Sequence, residues 1–109
     1  MPAKYYNITG STGVDVELLA PGSGAGSINA IMFTNTHATA DATVSLFIQD
    51  NPTSGTTKTY YILSTVAIPS DTSLLLDDKN VLSFNNSSTT GYGLYVTVGS
   101  SDTLDILIK

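Results

Sequence analysis

Apolar and polar residues alternate with a period of two through nearly every hydrophobic run of this chain. Each run ends in a clump of Ser, Thr, Asn, Asp, Gly or Pro. Thr43-Val44-Ser45-Leu46-Phe47-Ile48 is typical, and Tyr92-Gly93-Leu94-Tyr95-Val96-Thr97-Val98 is another. A period of two puts successive side chains on opposite faces of a strand, so one face can be buried while the other stays wet. No stretch carries the i, i+3, i+4, i+7 spacing of an amphipathic helix. The chain is therefore expected to be all-β: an antiparallel β-sandwich, jelly-roll-like, of about eight to nine strands.

The expected strands lie at residues 4–9, 14–19, 27–35, 42–49, 57–68, 73–76, 81–84, 92–98 and 104–108. The fifth is expected to break near Thr65. Gly10-Ser11-Thr12-Gly13 reads as the turn between the first two strands, and Gly99-Ser100-Ser101-Asp102 as the turn of a closing hairpin. Val44, Leu46 and Ile48 form an inner face. In residues 27–35, Ile28, Ala30 and Met32 share one face and Ile31 and Phe33 the other. Apolar residues on both faces suit a central strand or one buried at a subunit contact. Residues 1–12 read as an N-terminal arm (Met1 to Asn7) with the first strand, and residues 13–109 as a single β-sandwich domain.

Composition narrows the function. At 109 residues the chain is one domain. It has no Cys, so packing and pairing must hold it without disulfides. Lys4, Lys58, Lys79 and Lys109 are its only cations besides His37, and the net charge is −5. Phosphate backbones and anionic membrane surfaces are bound by clustered Lys and Arg, so neither nucleic acid nor membrane is an expected partner. The opening Met1-Pro2-Ala3-Lys4-Tyr5-Tyr6 lacks the apolar core of a secretory signal, and no run is long enough for a membrane helix. Asn7-Ile8-Thr9, Asn85-Asn86-Ser87 and Asn86-Ser87-Ser88 match the glycosylation triplet by chance in a chain rich in these residues.

Residues able to carry chemistry are sparse. Gly22-Ser23-Gly24-Ala25-Gly26 precedes a strand, whereas a phosphate loop needs a helix whose N-terminus faces the phosphate. His37 is the only histidine, and it falls in a turn with no second His or Cys to complete a zinc site. A nucleophilic site would require a cleft that gathers His37 with a Ser and an Asp. Asp77-Asp78-Lys79-Asn80, Asp50-Asn51 and Asp102 with Asp105 are acidic spots. None has the spacing of a calcium loop, and each fits turn chemistry. Glu17 alternates with Val16 and Leu18, so it faces solvent with Asp15. No catalytic residue, metal or cofactor is expected, and the protein reads as non-enzymatic.

The aromatics point instead to binding. Tyr5-Tyr6 and Tyr60-Tyr61 are adjacent pairs, and one member of each must point away from its own core. Tyrosine is enriched at protein interfaces. The candidate protein-interface residues are Tyr5, Tyr6, Ile31, Phe33, Tyr60, Tyr61, Tyr92 and Tyr95.

The run Ile31-Met32-Phe33-Thr34-Asn35-Thr36 leads into Ala42-Thr43-Val44-Ser45-Leu46-Phe47-Ile48. Then follow Val66-Ala67-Ile68-Pro69-Ser70, Ser73-Leu74-Leu75-Leu76, and an ending of Leu94–Val98 with Leu104–Ile108. In this order the chain resembles small β-sandwich virion structural proteins of tailed bacteriophages, cyanophages in particular. The resemblance spans about Val14 to Ile108. It departs at Asp77-Asp78-Lys79-Asn80-Val81, where such proteins often carry a Gly-Asp turn. It implies a capsid decoration or cement subunit that binds the capsid lattice. Its partners would be the major capsid protein or other virion proteins, in a homo-oligomer or symmetric array, and it would reside in the virion after assembly in the host cytoplasm. A neck or tail component, or a carbohydrate- or receptor-binding module, is the alternative. The group has no catalytic residues to carry over.

Overall fold

Among the described residues, eight strands form two four-stranded antiparallel sheets. The strands are β1 (Lys4–Thr9), β2 (Val16–Leu19), β3 (Ile31–Asn35), β4 (Ala42–Asp50), β5 (Thr59–Ile68), β6 (Thr72–Leu76), β7 (Tyr92–Val98) and β8 (Thr103–Ile108). This is a computed structural model, and it describes residues 3–24 and 27–109. One sheet has the order β1-β8-β3-β6 and the other β2-β7-β4-β5. Among consecutive strands only β4 and β5 pair with each other, and every other connection crosses between the sheets. That is the strand order of a jelly roll. The molecule is 19 Å across its thinnest dimension, as expected for two sheets stacked about 10 Å apart with their outer side chains.

Alternation fills the core. β3 contributes Ile31 and Phe33, β8 contributes Leu104, Ile106 and Ile108, and β7 contributes Leu94, Val96 and Val98, all buried. Ala42, Val44 and Leu46 of β4 lie beside the β7 residues in one sheet and face those of β3 and β8 in the other, and Ile28 and Leu82 plug the sandwich from its loops. Burying one such side chain stabilises the fold by roughly 1.5–3 kcal/mol.

Two departures from strict alternation have a local cause. In β2 the pairing shifts between Glu17 and Leu19. The bulge lets consecutive Leu18 and Leu19 both enter the core. In β5 the register against β4 shifts twice, between Val44 and Leu46 and between Leu46 and Phe47. Ile62 and Leu63 consequently both pack on the core. Thr65 sits in this irregular stretch at φ 50°, and its N–H donates to Ser45 Oγ at 2.8 Å. The expected break near Thr65 is therefore this bulge.

Other expectations are corrected. Residues 81–84 form no strand: Leu82 N donates to Asp78 O at 3.1 Å in a turn, and Ser83 makes only an isolated bridge to Ser27. Leu82 is apolar because it plugs the core. Residues 99–102 are a crossover between sheets, not the expected hairpin; residues 10–13 are the expected turn between β1 and β2, which also crosses between the sheets. Lys4 to Asn7 are not a free arm, since β1 pairs with β8 from Lys4↔Ile108 to Thr9↔Thr103. Met1, Pro2, Ala25 and Gly26 lie outside the described residues.

Two buried asparagines fasten the loops. Asn35 Nδ2 donates to Ala40 O at 2.8 Å and Ile68 O at 3.0 Å, and its Oδ1 accepts from His37 N at 3.0 Å. Asn86 Nδ2 donates to Ala20 O at 2.9 Å and Tyr92 O at 2.7 Å, and Ser23 Oγ donates to its Oδ1 at 2.7 Å. Asn86 is 2% exposed, so its amide is not open to a glycan.

Candidate interaction surfaces

The outer face of the β2-β7-β4-β5 sheet carries an aromatic rung. Register places Glu17 of β2 beside Tyr95 of β7, Tyr95 beside Phe47 of β4, and Phe47 beside Tyr61 of β5. The Phe47 ring lies 5.8 Å from Tyr95, stacked, and 5.1 Å from Tyr61, tilted. Phe47 points away from the core yet is 3% exposed, because the two tyrosines cover it. Burial, together with the Glu17 carboxylate alongside, raises the Tyr95 phenol above its usual pKa. Polar rungs flank the aromatic one. Thr97 Oγ1 donates to Asp15 Oδ1 at 2.7 Å on one side, and Thr59 Oγ1 to Gln49 Oε1 at 3.2 Å on the other.

The opposite outer face carries an aliphatic rung. Tyr5 of β1 is paired with Leu107 of β8, Leu107 with Met32 of β3, and Met32 with Leu75 of β6. Tyr5 is 73% exposed and Leu75 55%. The next rung is polar. Asn7 Nδ2 donates to Asp105 Oδ1 at 2.6 Å, and Thr34 and Ser73 share a hydroxyl hydrogen bond of 2.8 Å.

The interface candidates from the sequence therefore separate. Tyr5, Tyr61 and Tyr95 stand on outer faces. Tyr60 and Tyr92 meet near one end of the sandwich, ring centres 6.0 Å apart; slight burial and the nearby Tyr60 and Asp50 raise the Tyr92 phenol. Tyr6 points inward and its hydroxyl donates to Leu18 O at 2.6 Å. Ile31 and Phe33 are fully buried and present no surface, because an inner-face position in a central strand leaves no access. The outward residue between them is Met32. Phe47, Met32, Leu75 and Leu107 were not among the candidates. Alternation marks each as facing its strand's outer side, but only the pairing register joins them into rungs.

His37, Ser101 and Asp102 line a hollow of about 260 Å³ where β3, β4 and β8 end or begin. The three do not form a relay. His37 Nδ1 accepts from Thr39 N at 3.1 Å and Ala40 N at 3.0 Å. In the neutral ring Nε2 then carries the proton, which leaves no lone pair for a general base. Asp102 Oδ2 accepts from Thr43 N at 3.1 Å. The imidazole caps a turn, and the carboxylate fastens β4 to the β7–β8 crossover. The remaining acidic spots are engaged likewise. Asp50 Oδ1 accepts from Lys58 N at 2.7 Å and Asp78 Oδ1 from Asn80 N at 3.0 Å. Among the described residues no three His, Asp or Glu side chains gather as a metal would require.

No protein-family model matches this chain, and neither curated proteins nor solved structures provide a match.

Proposed function

We propose that this chain is a non-enzymatic structural subunit of a phage virion, a decoration or cement protein that binds the capsid lattice through its sheet faces. The observation that carries this reading is the pair of outer-face rungs, each spanning four strands and flanked by hydroxyl and amide side chains. Such rows offer apolar area with a polar surround at low desolvation cost. Repetition by symmetry turns modest single contacts into firm attachment. The sequence resemblance to virion β-sandwich proteins supports the particle as the partner, and the acidic charge suits a position away from packaged DNA. Jelly rolls also serve as lectin domains. The Tyr60–Tyr92 pair beside Asp50 favours carbohydrate binding as the second reading.

Co-sedimentation of purified protein with native particles tests the proposal. Met32→Ser with Tyr5→Ser cuts one rung at its centre and at its β1 end, and Tyr61→Ser weakens the other, all at positions outside the core. Loss of a central anchor costs about 2 kcal/mol, or roughly 30-fold in affinity, in whichever face is used. Protein that never sediments with heads or tails, or variants that bind like the parent, would sink the idea.

A further inference from the structure

Four strands lie at sheet edges: β1, β6, β2 and β5. Exposed edges are usually blunted by bulges or charge. β2 is bulged and β5 is bulged twice, and β1 begins with Lys4. β6 alone has neither device. Its five residues, Thr-Ser-Leu-Leu-Leu, pair with β3 in unbroken register.

Which backbone groups β6 leaves open follows from the ladder. Ala30 and Lys109 exchange both hydrogen bonds, at 3.0 and 2.9 Å. Antiparallel alternation then directs Met32 and Thr34 to β8, and Ile31, Phe33 and Asn35 to their β6 partners Leu76, Leu74 and Thr72. Ser73 and Leu75 therefore turn their N–H and C=O groups to the open edge. Beside this edge lies a hollow of about 250 Å³, lined by Ile62, Leu76, Val81 and Leu82 among others and bordered by Asp77 and Asp78. Val81 is 54% exposed.

We propose that the β6 edge accepts an extended strand from another protein, one with alternating apolar residues and a Lys or Arg at each end. Ser73 and Leu75 would supply main-chain hydrogen bonds, and an inward apolar side chain would fill the hollow. The charge pattern selects the partner. Antiparallel pairing with a second copy, Ser73 opposite Leu75, would set Asp71 opposite Asp77 of that copy at both ends, and like charges directly opposite are destabilising. A basic-ended strand in either direction meets Asp71 at one end and Asp77 at the other. The site stands independently of the virion reading.

The probe is a seven-residue peptide of alternating valine and threonine with a lysine at each end, compared with its glutamate-ended twin. Amide NMR with about 1 mM peptide should move Thr72–Leu76 and residues 77–82 and slow exchange at Ser73 and Leu75. The glutamate twin should bind several-fold more weakly, and D71N with D77N should erase that difference. Leu75→Pro should abolish binding with the β3 ladder intact, because the Leu75 N–H is not in it. Should that variant fail to fold, Ser73→Pro serves instead, since the Ser73 N–H also faces the open edge and is not in the β3 ladder. No shift in β6, shifts at another edge, equal binding of both peptides, or dimerisation through β6 would overturn the proposal. Peptide binding by protein that ignores particles would retire only the virion reading. Particle binding without a β6 response would retire only this site.

Discussion

Replacing Asn35 by alanine should be among the costliest single changes outside the apolar core. The side chain is 1% exposed and makes three hydrogen bonds, which join the end of β3 to the following turn and to the end of β5. Its loss leaves three groups one hydrogen bond short. Ala40 and His37 are exposed, so water can reach their backbone atoms, and each loss costs about 0.5–1.5 kcal/mol. Ile68 is buried, but its carbonyl keeps the Ala42 N–H of the β4–β5 ladder, so this loss also costs about 0.5–1.5 kcal/mol. The sum is about 3 kcal/mol, equivalent to a fall in Tm of roughly 10–20 °C for a domain near this size. Urea titration with an unchanged slope would assign the loss to the native state. The control is Asn7→Ala, whose bond to Asp105 is exposed and should matter by less than about 0.5 kcal/mol. An Asn35→Ala variant within about 1 kcal/mol of the parent would refute the idea that this amide holds the loops.

Three further predictions concern local features. Burial raises the Tyr6 phenol above its usual 10.0, so the unfolded chain ionises first as pH climbs. Stability should hold below about pH 10 and fall above it; Tyr6→Phe should reduce that fall while costing about 1 kcal/mol at neutral pH, both read by urea melts across pH. Thr65 holds a left-handed φ of 50° at a cost of about 1–2 kcal/mol, more than glycine's own penalty of roughly 0.5–1 kcal/mol. Thr65→Gly should therefore raise Tm, whereas Thr97→Gly in regular β7 should lower it. A thermal double-mutant cycle on Phe47→Leu and Tyr95→Leu should return a coupling of about 0.5–1.5 kcal/mol, and a coupling near zero would deny that the rung is a packed unit.

The alternation of apolar and polar residues made eight of the strands legible, because a half-buried strand needs it. What stayed hidden was information held between strands. Nothing in residues 99–102 says that β7 and β8 join different sheets, since a turn between two runs looks the same for a hairpin as for a crossover. Val81, Leu82 and Phe84 read as a strand because a plug for the core is as apolar as a strand is. Ile31 and Phe33 were expected at a surface because Met32 between them is apolar too. The sequence shows two apolar faces, but not which one is closed by the second sheet. The rungs Tyr95–Phe47–Tyr61 and Tyr5–Leu107–Met32–Leu75 depend on register, which one strand's residues do not reveal. Asn35 read only as the end of a strand and Asn86 only as part of a chance triplet, because their value lies in carbonyls far along the chain, at Ile68 and Ala20.

The most direct test of a surface-borne assembly function is a cryo-EM map of the native particle at side-chain resolution. The jelly roll should appear in symmetric copies on the shell, neck or tail, with the Tyr5–Leu107–Met32–Leu75 or the Tyr95–Phe47–Tyr61 rung buried against a neighbour. Particles that lack the protein, or copies held with both rungs facing solvent, would contradict it.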